Sequence, residues 1–184
     1  MIVVSAPSGA GKTTIVKHLL RTFPQFGFSV SATSRKIREC EINGREYYFM
    51  SSDEFRLMIA QEKLLEWQEV YPDSYYGTQV SEVERIASNN QIPIFDVDVV
   101  GGLNIKKMFG DKALAIFIRP PSYEILESRL RSRATDSEES IQKRLNKVKW
   151  ELTFERDFDN IIVNDNLKDA LHQAEILVKD FLGL

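Results

Sequence analysis

The chain contains a single cysteine, Cys40, among its 184 residues. One cysteine cannot form an intrachain disulfide framework, so a hydrophobic core must hold the fold together. The hydrophobic share of 43% supplies enough apolar material for such a core, and the length fits one domain. A lone cysteine also fits a reducing compartment, so we expect a cytoplasmic protein.

Long apolar runs and an excess of basic charge are also missing. No run approaches the roughly 18 apolar residues of a membrane span, and Met1–Val4 is too short for the apolar part of a signal peptide. The formal net charge of -3 argues against a nucleic-acid binder, because such domains are usually strongly basic. We therefore expect neither a membrane nor a nucleic acid as partner. The sequence does not decide between a monomer and a homodimer.

Short β-branched runs alternate with segments of helical period, which predicts an α/β fold with a largely parallel sheet flanked by helices. The strands are predicted at residues 2–5, 28–33, 64–70, 94–98, 113–118 and 161–163. Helices are predicted at about 12–23, 51–63, 80–87 and 122–131, then over a stripe from 141 to 152, and from 167 onward. A capping box of Ser51 and Glu54 opens the second helix, and Asp136 with Glu139 caps the helix before Ile141.

A phosphate-binding loop lies between the first strand and the first helix. Gly9, Gly11, Lys12 and Thr13 match the pattern G-x-x-x-x-G-K-[ST], while Ala6 replaces its first glycine. Backbone N–H groups of such a loop converge on anionic oxygens at the helix N-terminus. The plainer alternative is a glycine turn with a surface lysine. The flanking strand and helix favour a triphosphate cradle formed by Ser8, Gly9, Ala10, Gly11, Lys12, Thr13 and Thr14.

Two carboxylates and three arginines are the next candidates. Asp96 and Asp98 are two residues apart at the end of a predicted strand, where they would meet a ligand crevice or be solvated acids of a turn. Thr13 and Asp96 are the predicted Mg²⁺ contacts, with Asp96 bound either directly or through water. Arg129, Arg133 and Arg144 could form a solvated basic face, or could converge on a migrating phosphoryl group.

Nine ordered blocks resemble the guanylate kinase family over nearly the whole chain. They are S-A-P-S-G-A-G-K-T-T, F-S-V-S-A-T-S-R, N-G-R-E-Y-Y-F, L-L-E-W, Y-Y-G-T, D-V-D, P-P-S, R-L-R-S-R and V-N-D. The resemblance implies a P-loop NTPase core with a small mixed α+β GMP-binding insertion and a helical lid. It also implies Mg²⁺-dependent transfer of the γ-phosphoryl group of ATP to GMP. The implied subregions are a core of residues 1–33, 79–128 and 145–184, a GMP-binding region of 34–78 and a lid of 129–144.

The resemblance also assigns residues. Arg35, Arg38, Tyr47 and Tyr76 match positions around the GMP phosphate, where guanidinium groups pair with phosphate oxygens. The family's remaining GMP contacts fall on Ser31, Glu66, Thr78 and Asp98. Asn164 matches a position near the adenine of ATP. The charges around the transferred phosphoryl are implied to be Lys12, Arg35, Arg129, Arg133 and Arg144.

Glu66 is the implied specificity residue. Guanine presents N1–H and an exocyclic amine as adjacent donors beside the O6 acceptor. A carboxylate can accept from both donors, whereas adenine inverts the pattern and leaves it unpaired; such polar contacts can discriminate by up to about 10⁴ to 10⁵. Taken without the resemblance, Glu66 would be a solvated acid on a strand.

The chain departs from the family pattern in three places. The segment 35–41 lacks a usual proline and glycine, Val100 replaces a usual glutamine, and 71–74 is about one residue longer. None of these differences removes a charged residue that phosphoryl transfer requires. Two alternatives remain: a guanylate-kinase-like module that binds phosphopeptides without turnover, and a kinase for another nucleoside monophosphate. The first should have a degraded P-loop, and the second should lack the pairing of Glu66 with Thr78.

Overall fold

The computed structural model describes residues 1–39, 41–131 and 138–184. Cys40, Arg133 and the predicted cap Asp136 lie outside these ranges. The strands are β1 (Ile2–Ser5), β2 (Phe26–Ser29), β3 (Ala32–Thr33), β4 (Tyr48–Phe49), β5 (Leu64–Tyr71), β6 (Ser74–Gln79), β7 (Ile92–Val97), β8 (Leu114–Arg119) and β9 (Asn160–Val163). The helices are α1 (Lys12–Thr22), α2 (Ser52–Ala60), α3 (Val80–Ser88), α4 (Val99–Phe109), α5 (Tyr123–Arg131), α6 (Glu138–Leu152) and α7 (Leu167–Leu182). Short 3-10 turns occupy Gly110–Lys112 and Glu155–Asp157.

Within the described residues, five parallel strands form the main sheet in the order β2-β7-β1-β8-β9. Its central strands are buried on both faces, which explains their continuous apolar sequences. Ile2, Val4 and Ile116 pack under α1 and α7 on one face, while Val3 and Phe117 pack on the other. The α/β class and the parallel sheet flanked by helices are confirmed.

A second, mixed sheet has the order β4-β3-β6-β5. It packs with α2 around a small core of Ala32, Phe55 and Tyr75. The capping box is present at the start of α2, where Ser51 and Glu54 bond each other reciprocally. The single strand predicted at 28–33 is wrong: the chain leaves the main sheet after Ser29 and enters the second sheet at Ala32. The apolar pattern continues across this crossing, so sequence alone does not reveal it.

Helix α4 was not predicted, because Gly101 and Gly102 in its first turns are poor helix formers. Both glycines are required by close packing. A Cβ atom on Gly102 would lie 2.3 Å from Ser5 Oγ, and one on Gly101 would lie 2.7 Å from Glu66 Oε2. The strand predicted at 94–98 ends one residue early, at Val97. Asp98 instead caps α4 by accepting a hydrogen bond from the Gly101 N–H at 2.9 Å.

A buried carboxylate, Glu82 of α3, joins the two sheets. It accepts hydrogen bonds from Val30 N–H at 2.9 Å and from Tyr48 Oη at 3.2 Å, and it forms an ion pair with Arg85 at 2.7 Å. Burial acts to raise the pKa of Glu82, but the bonds from Arg85 and Val30 outweigh it and lower that pKa.

Replacing Glu82 with alanine should destabilise the fold by about 2 to 4 kcal/mol, because it leaves a buried N–H and a hydroxyl without their acceptor. Urea unfolding measures the change. Glu84→Ala, on the exposed side of the same helix, is the matched control and should shift the free energy by less than about 0.5 kcal/mol. Equal unfolding free energies for the two variants would show that Glu82 does not join the sheets.

Candidate active site

The loop between β1 and α1 has the backbone of a phosphate cradle. Gly9 and Gly11 adopt φ values of +92° and +97°, the left-handed region that favours glycine. Asn164 packs behind the loop, where its Nδ2 donates to Ala10 O at 2.7 Å. Ala6, which replaces the first glycine of the pattern, has no positive φ and packs into the core. The loop therefore needs no glycine at residue 6.

Asp96, near the end of β7, bonds both P-loop side chains. Its Oδ1 lies 2.8 Å from Lys12 Nζ, and its Oδ2 accepts from Thr13 Oγ1 at 2.8 Å. Lys12 also donates to Val97 O at 2.7 Å. Burial acts to lower the pKa of Lys12, but the charge of Asp96 outweighs it, and the pKa is raised. The ammonium is therefore charged, and Asp96 holds it at the mouth of the loop.

One cleft of about 890 Å³ connects the P-loop to the second sheet. Of the residues predicted for the site, the following line it: Ser8, Gly9, Gly11, Lys12, Thr13, Thr14, Ser31, Arg35, Arg38, Tyr47, Glu66, Tyr76, Asp96, Asp98 and Arg144. Ala10, Thr78, Arg129 and Asn164 are not part of this lining. Arg129 donates to Asn164 O at 3.1 Å, beneath the loop. Arg133 is outside the described residues.

Glu66 is a buried carboxylate at the far end of the cleft from the loop. Only 8% of the residue is exposed, and its Oε1 accepts from Thr78 Oγ1 at 2.7 Å. Burial raises the pKa of Glu66 to about 7. Thr78 is fully buried on the neighbouring strand, so it orients Glu66 and does not line the cleft. This end of the cleft offers a hydrogen-bond acceptor enclosed by protein.

Arg35 lines the same cleft. It forms a bidentate ion pair with Glu41, which raises the pKa of the guanidinium. Its guanidinium carbon lies 5.0 Å from the centre of the Tyr47 ring, and that ring contacts Tyr76 edge to face. Glu41 also accepts from the Arg38 N–H at 2.9 Å. The Glu41 carboxylate thus bonds the side chain of Arg35 and the backbone of Arg38 within the 35–41 segment.

Glu41, Lys147 and Glu151 are charged residues of this region that sequence reasoning did not single out. Lys147 and Glu151 line the cleft from α6. Their signal in the sequence is weak, because charged residues on a helix usually form a solvated face. Lys147 and Glu151 are recognised as cleft residues only from the position of α6 in the fold.

The raised pKa of Glu66 predicts a pH dependence of stability. Because the folded-state pKa of about 7 exceeds the ordinary 4.5, the folded state binds the proton more tightly than the unfolded state. The stabilisation that protonated Glu66 gives to the folded state is thus fully present below pH 4.5 and is lost as pH rises through 7. Its loss lowers the free energy of unfolding by about 3 kcal/mol. Urea unfolding of Glu66→Gln should lack this loss, while the exposed control Glu69→Gln should follow the wild type. Identical pH profiles for the wild type and Glu66→Gln would contradict the assignment.

The comparisons with known proteins agree with this geometry. The Guanylate kinase family model matches residues 1–181. The chain is 50% identical over 184 residues to "Guanylate kinase" of Porphyromonas gingivalis, covering 100% of this chain and 98% of that protein. Against "Guanylate kinase" of Bacteroides fragilis it is 48% identical over 184 residues, covering 100% and 90%. The crystal structure of guanylate kinase from Anaplasma phagocytophilum shares the fold, with a TM-score of 0.76, 24% identity, and coverage of 98% of this chain and 84% of that one. By the family match and these full-length identities, the chain belongs to the guanylate kinase family.

Proposed function

We propose that the protein is a guanylate kinase that transfers the γ-phosphoryl group of ATP to GMP or dGMP, giving ADP and GDP or dGDP. The main support for this proposal is that one cleft is lined by both a P-loop and the buried carboxylate Glu66. The P-loop end suits a triphosphate, and the Glu66 end suits a base with two adjacent donors. The reaction needs both substrates in the same cleft.

The donor half consists of the P-loop and its supports. Backbone N–H groups of residues 8–14 would hold the phosphates of ATP at the N-terminus of α1. Lys12 would move from Asp96 to the β- and γ-phosphates, exchanging one anion for another. Asn164, behind the loop, supports its backbone at Ala10 and belongs to the side where the adenine would bind.

The acceptor half consists of the second sheet and the segment before it. Ionised Glu66 would accept from N1–H and the amine of guanine, while Ser31 would donate to O6 and Asp98 would lie between the two nucleotides. Thr78 holds Glu66 in place. The acceptor phosphate would meet Arg35, Arg38, Tyr47 and Tyr76, where Arg35 exchanges Glu41 for phosphate oxygens.

Phosphoryl transfer requires that the two nucleotides be aligned and that cations surround the migrating group. A phosphate monoester already carries a nucleophilic oxygen, so no general base is needed. The migrating group spreads negative charge over its oxygens, and fixed cations stabilise it. We assign this role to Lys12, Arg35, Arg129, Arg133 and Arg144.

Thr13 and Asp96 would hold Mg²⁺, with Asp96 bound either directly or through water. Their oxygens are hard donors placed 2.8 Å apart at the mouth of the loop, and this donor set fits Mg²⁺. Bound there, the ion would neutralise charge on the β- and γ-phosphates.

The subregions follow the same division: residues 1–33, 79–128 and 145–184 are the core, 34–78 the GMP-binding region and 129–144 the lid. We place the enzyme in the cytoplasm, as a monomer or homodimer acting on nucleotides without a nucleic acid or membrane partner. Among the described residues, no helix has the length and apolar content to cross a membrane.

A panel of acceptors tests the proposal through coupled release of ADP from ATP. The wild type should phosphorylate GMP and dGMP, with AMP, CMP and UMP slower by about 10³-fold or more.

Glu66→Gln should lower kcat/KM for GMP by about 100-fold, because an amide donor then faces the donors of guanine. Because only ionised Glu66 accepts both donors, kcat/KM for GMP should fall about tenfold per pH unit below 7 in the wild type.

Glu69→Gln, on the same strand but outside the cleft lining, is the matched control and should keep the wild-type values. Equal rates across all five acceptors would refute the role of Glu66. An absence of ADP release with every acceptor would refute the kinase and favour the phosphopeptide-binding module.

A further inference from the structure

Helix α6 presents a charged face to the cleft that the assignments above use only in part. Arg144, Lys147 and Glu151 all line the cleft, and their spacing of three and four residues places them on one side of the helix. Arg144 belongs to the proposed charges around the phosphoryl group. Lys147, one turn further on, has no role in the acceptor site, the P-loop or that set of charges.

The Lys147 ammonium lies between two carboxylates from different parts of the fold. Its Nζ is 3.6 Å from Asp98 Oδ2 and 3.4 Å from Glu151 Oε1. Asp98 belongs to the core, where its other oxygen caps α4 through the Gly101 N–H. Glu151 lies on α6 itself, four residues after Lys147. Lys147 therefore connects α6 to the carboxyl end of β7.

Glu151 helps to fix this connection. Only 4% of the residue is exposed, and burial raises the pKa of its carboxyl group. Within the part of the chain that the structure describes, its Oε2 has no hydrogen-bond partner. The nearby charge of Lys147 is therefore the main compensation for this carboxylate, and it keeps the ammonium close to the helix.

The described contacts of α6 with the core also include apolar ones. Ile141, Leu145 and Val148 are buried in the main hydrophobic cluster. Such contacts hold the helix against the sheet without selecting a charged partner. The ion pair of Lys147 with Asp98 adds an electrostatic contact between α6 and the core, one helical turn from Arg144.

We propose that Lys147 is a positioning residue for phosphoryl transfer, holding α6 against Asp98 in the register that directs Arg144 into the cleft. This inference rests on the proposed guanylate kinase function. Lys147 acts through Arg144 and does not itself touch either nucleotide. A misplaced cation fails to stabilise the charge that develops in the transition state, so loss of Lys147 should act on kcat.

A double-mutant cycle tests this role. Lys147→Met keeps the aliphatic stem and removes the charge, and it should lower kcat about tenfold with less than a twofold change in KM for GMP or ATP. Lys147→Arg, which keeps the charge, should recover most of the activity. Lys149→Met, on the exposed face of the same helix, is the matched control and should behave as the wild type. In an Arg144→Met background, adding Lys147→Met should change kcat by less than about twofold.

Three results would overturn the inference. Multiplicative effects of the two substitutions would show that Lys147 acts independently of Arg144. A raised KM for GMP or ATP with unchanged kcat would make it a substrate contact, and wild-type kinetics in Lys147→Met would leave it without a role. Circular dichroism and urea unfolding confirm that each variant folds, and Lys147→Gln takes the place of Lys147→Met if the latter does not. A wild type inactive toward GMP would instead refute the proposed function, and this inference with it.

Discussion

The carboxylate of Asp96 bonds the two P-loop side chains that a triphosphate would need, Lys12 through its ammonium and Thr13 through its hydroxyl. The same arrangement recurs around the cleft. Arg35 is paired with Glu41, and Lys147 lies between Asp98 and Glu151. A site built for two polyanionic substrates must gather cations, and these would repel one another without counter-charges. The carboxylates supply the counter-charges and hold each cation near the place where a phosphate would replace it.

The fold brings these groups together through the main sheet. Strands β1 and β7 are neighbours in parallel register, with Val4 opposite Asp96 and Ser5 opposite Val97. The loop after β1 and the carboxylates at the end of β7 therefore meet at one edge of the sheet. The second sheet places Glu66 at the other end of the same cleft, and Glu82 ties that sheet to the core. Buried carboxylates thus occur in both parts of the fold, Glu66 at the cleft and Glu82 between the second sheet and the core.

Local sequence was sufficient for features with a local cause. The P-loop, the capping box of Ser51 and Glu54, and the strands β1, β8 and β9 were predicted because their determinants lie within a few residues. The failures have long-range causes. The glycines of α4 reflect packing against Ser5 and Glu66, nearly 100 and 35 residues away in sequence. The crossing between sheets at residues 29–32, the buried Glu82 and the cleft-facing Lys147 likewise depend on which elements become neighbours.

Asp96 balances the charge of Lys12 in this structure, and we propose that it also belongs to the metal site. Calorimetric titration of wild type and Asp96→Asn with a non-hydrolysable ATP analogue, with and without Mg²⁺, measures both roles. Mg²⁺ should strengthen binding to the wild type. Asp96→Asn should lose most of this gain while binding the metal-free analogue at least as tightly, since an opposing negative charge is gone. An unchanged Mg²⁺ effect together with weaker binding of the metal-free analogue would refute both roles.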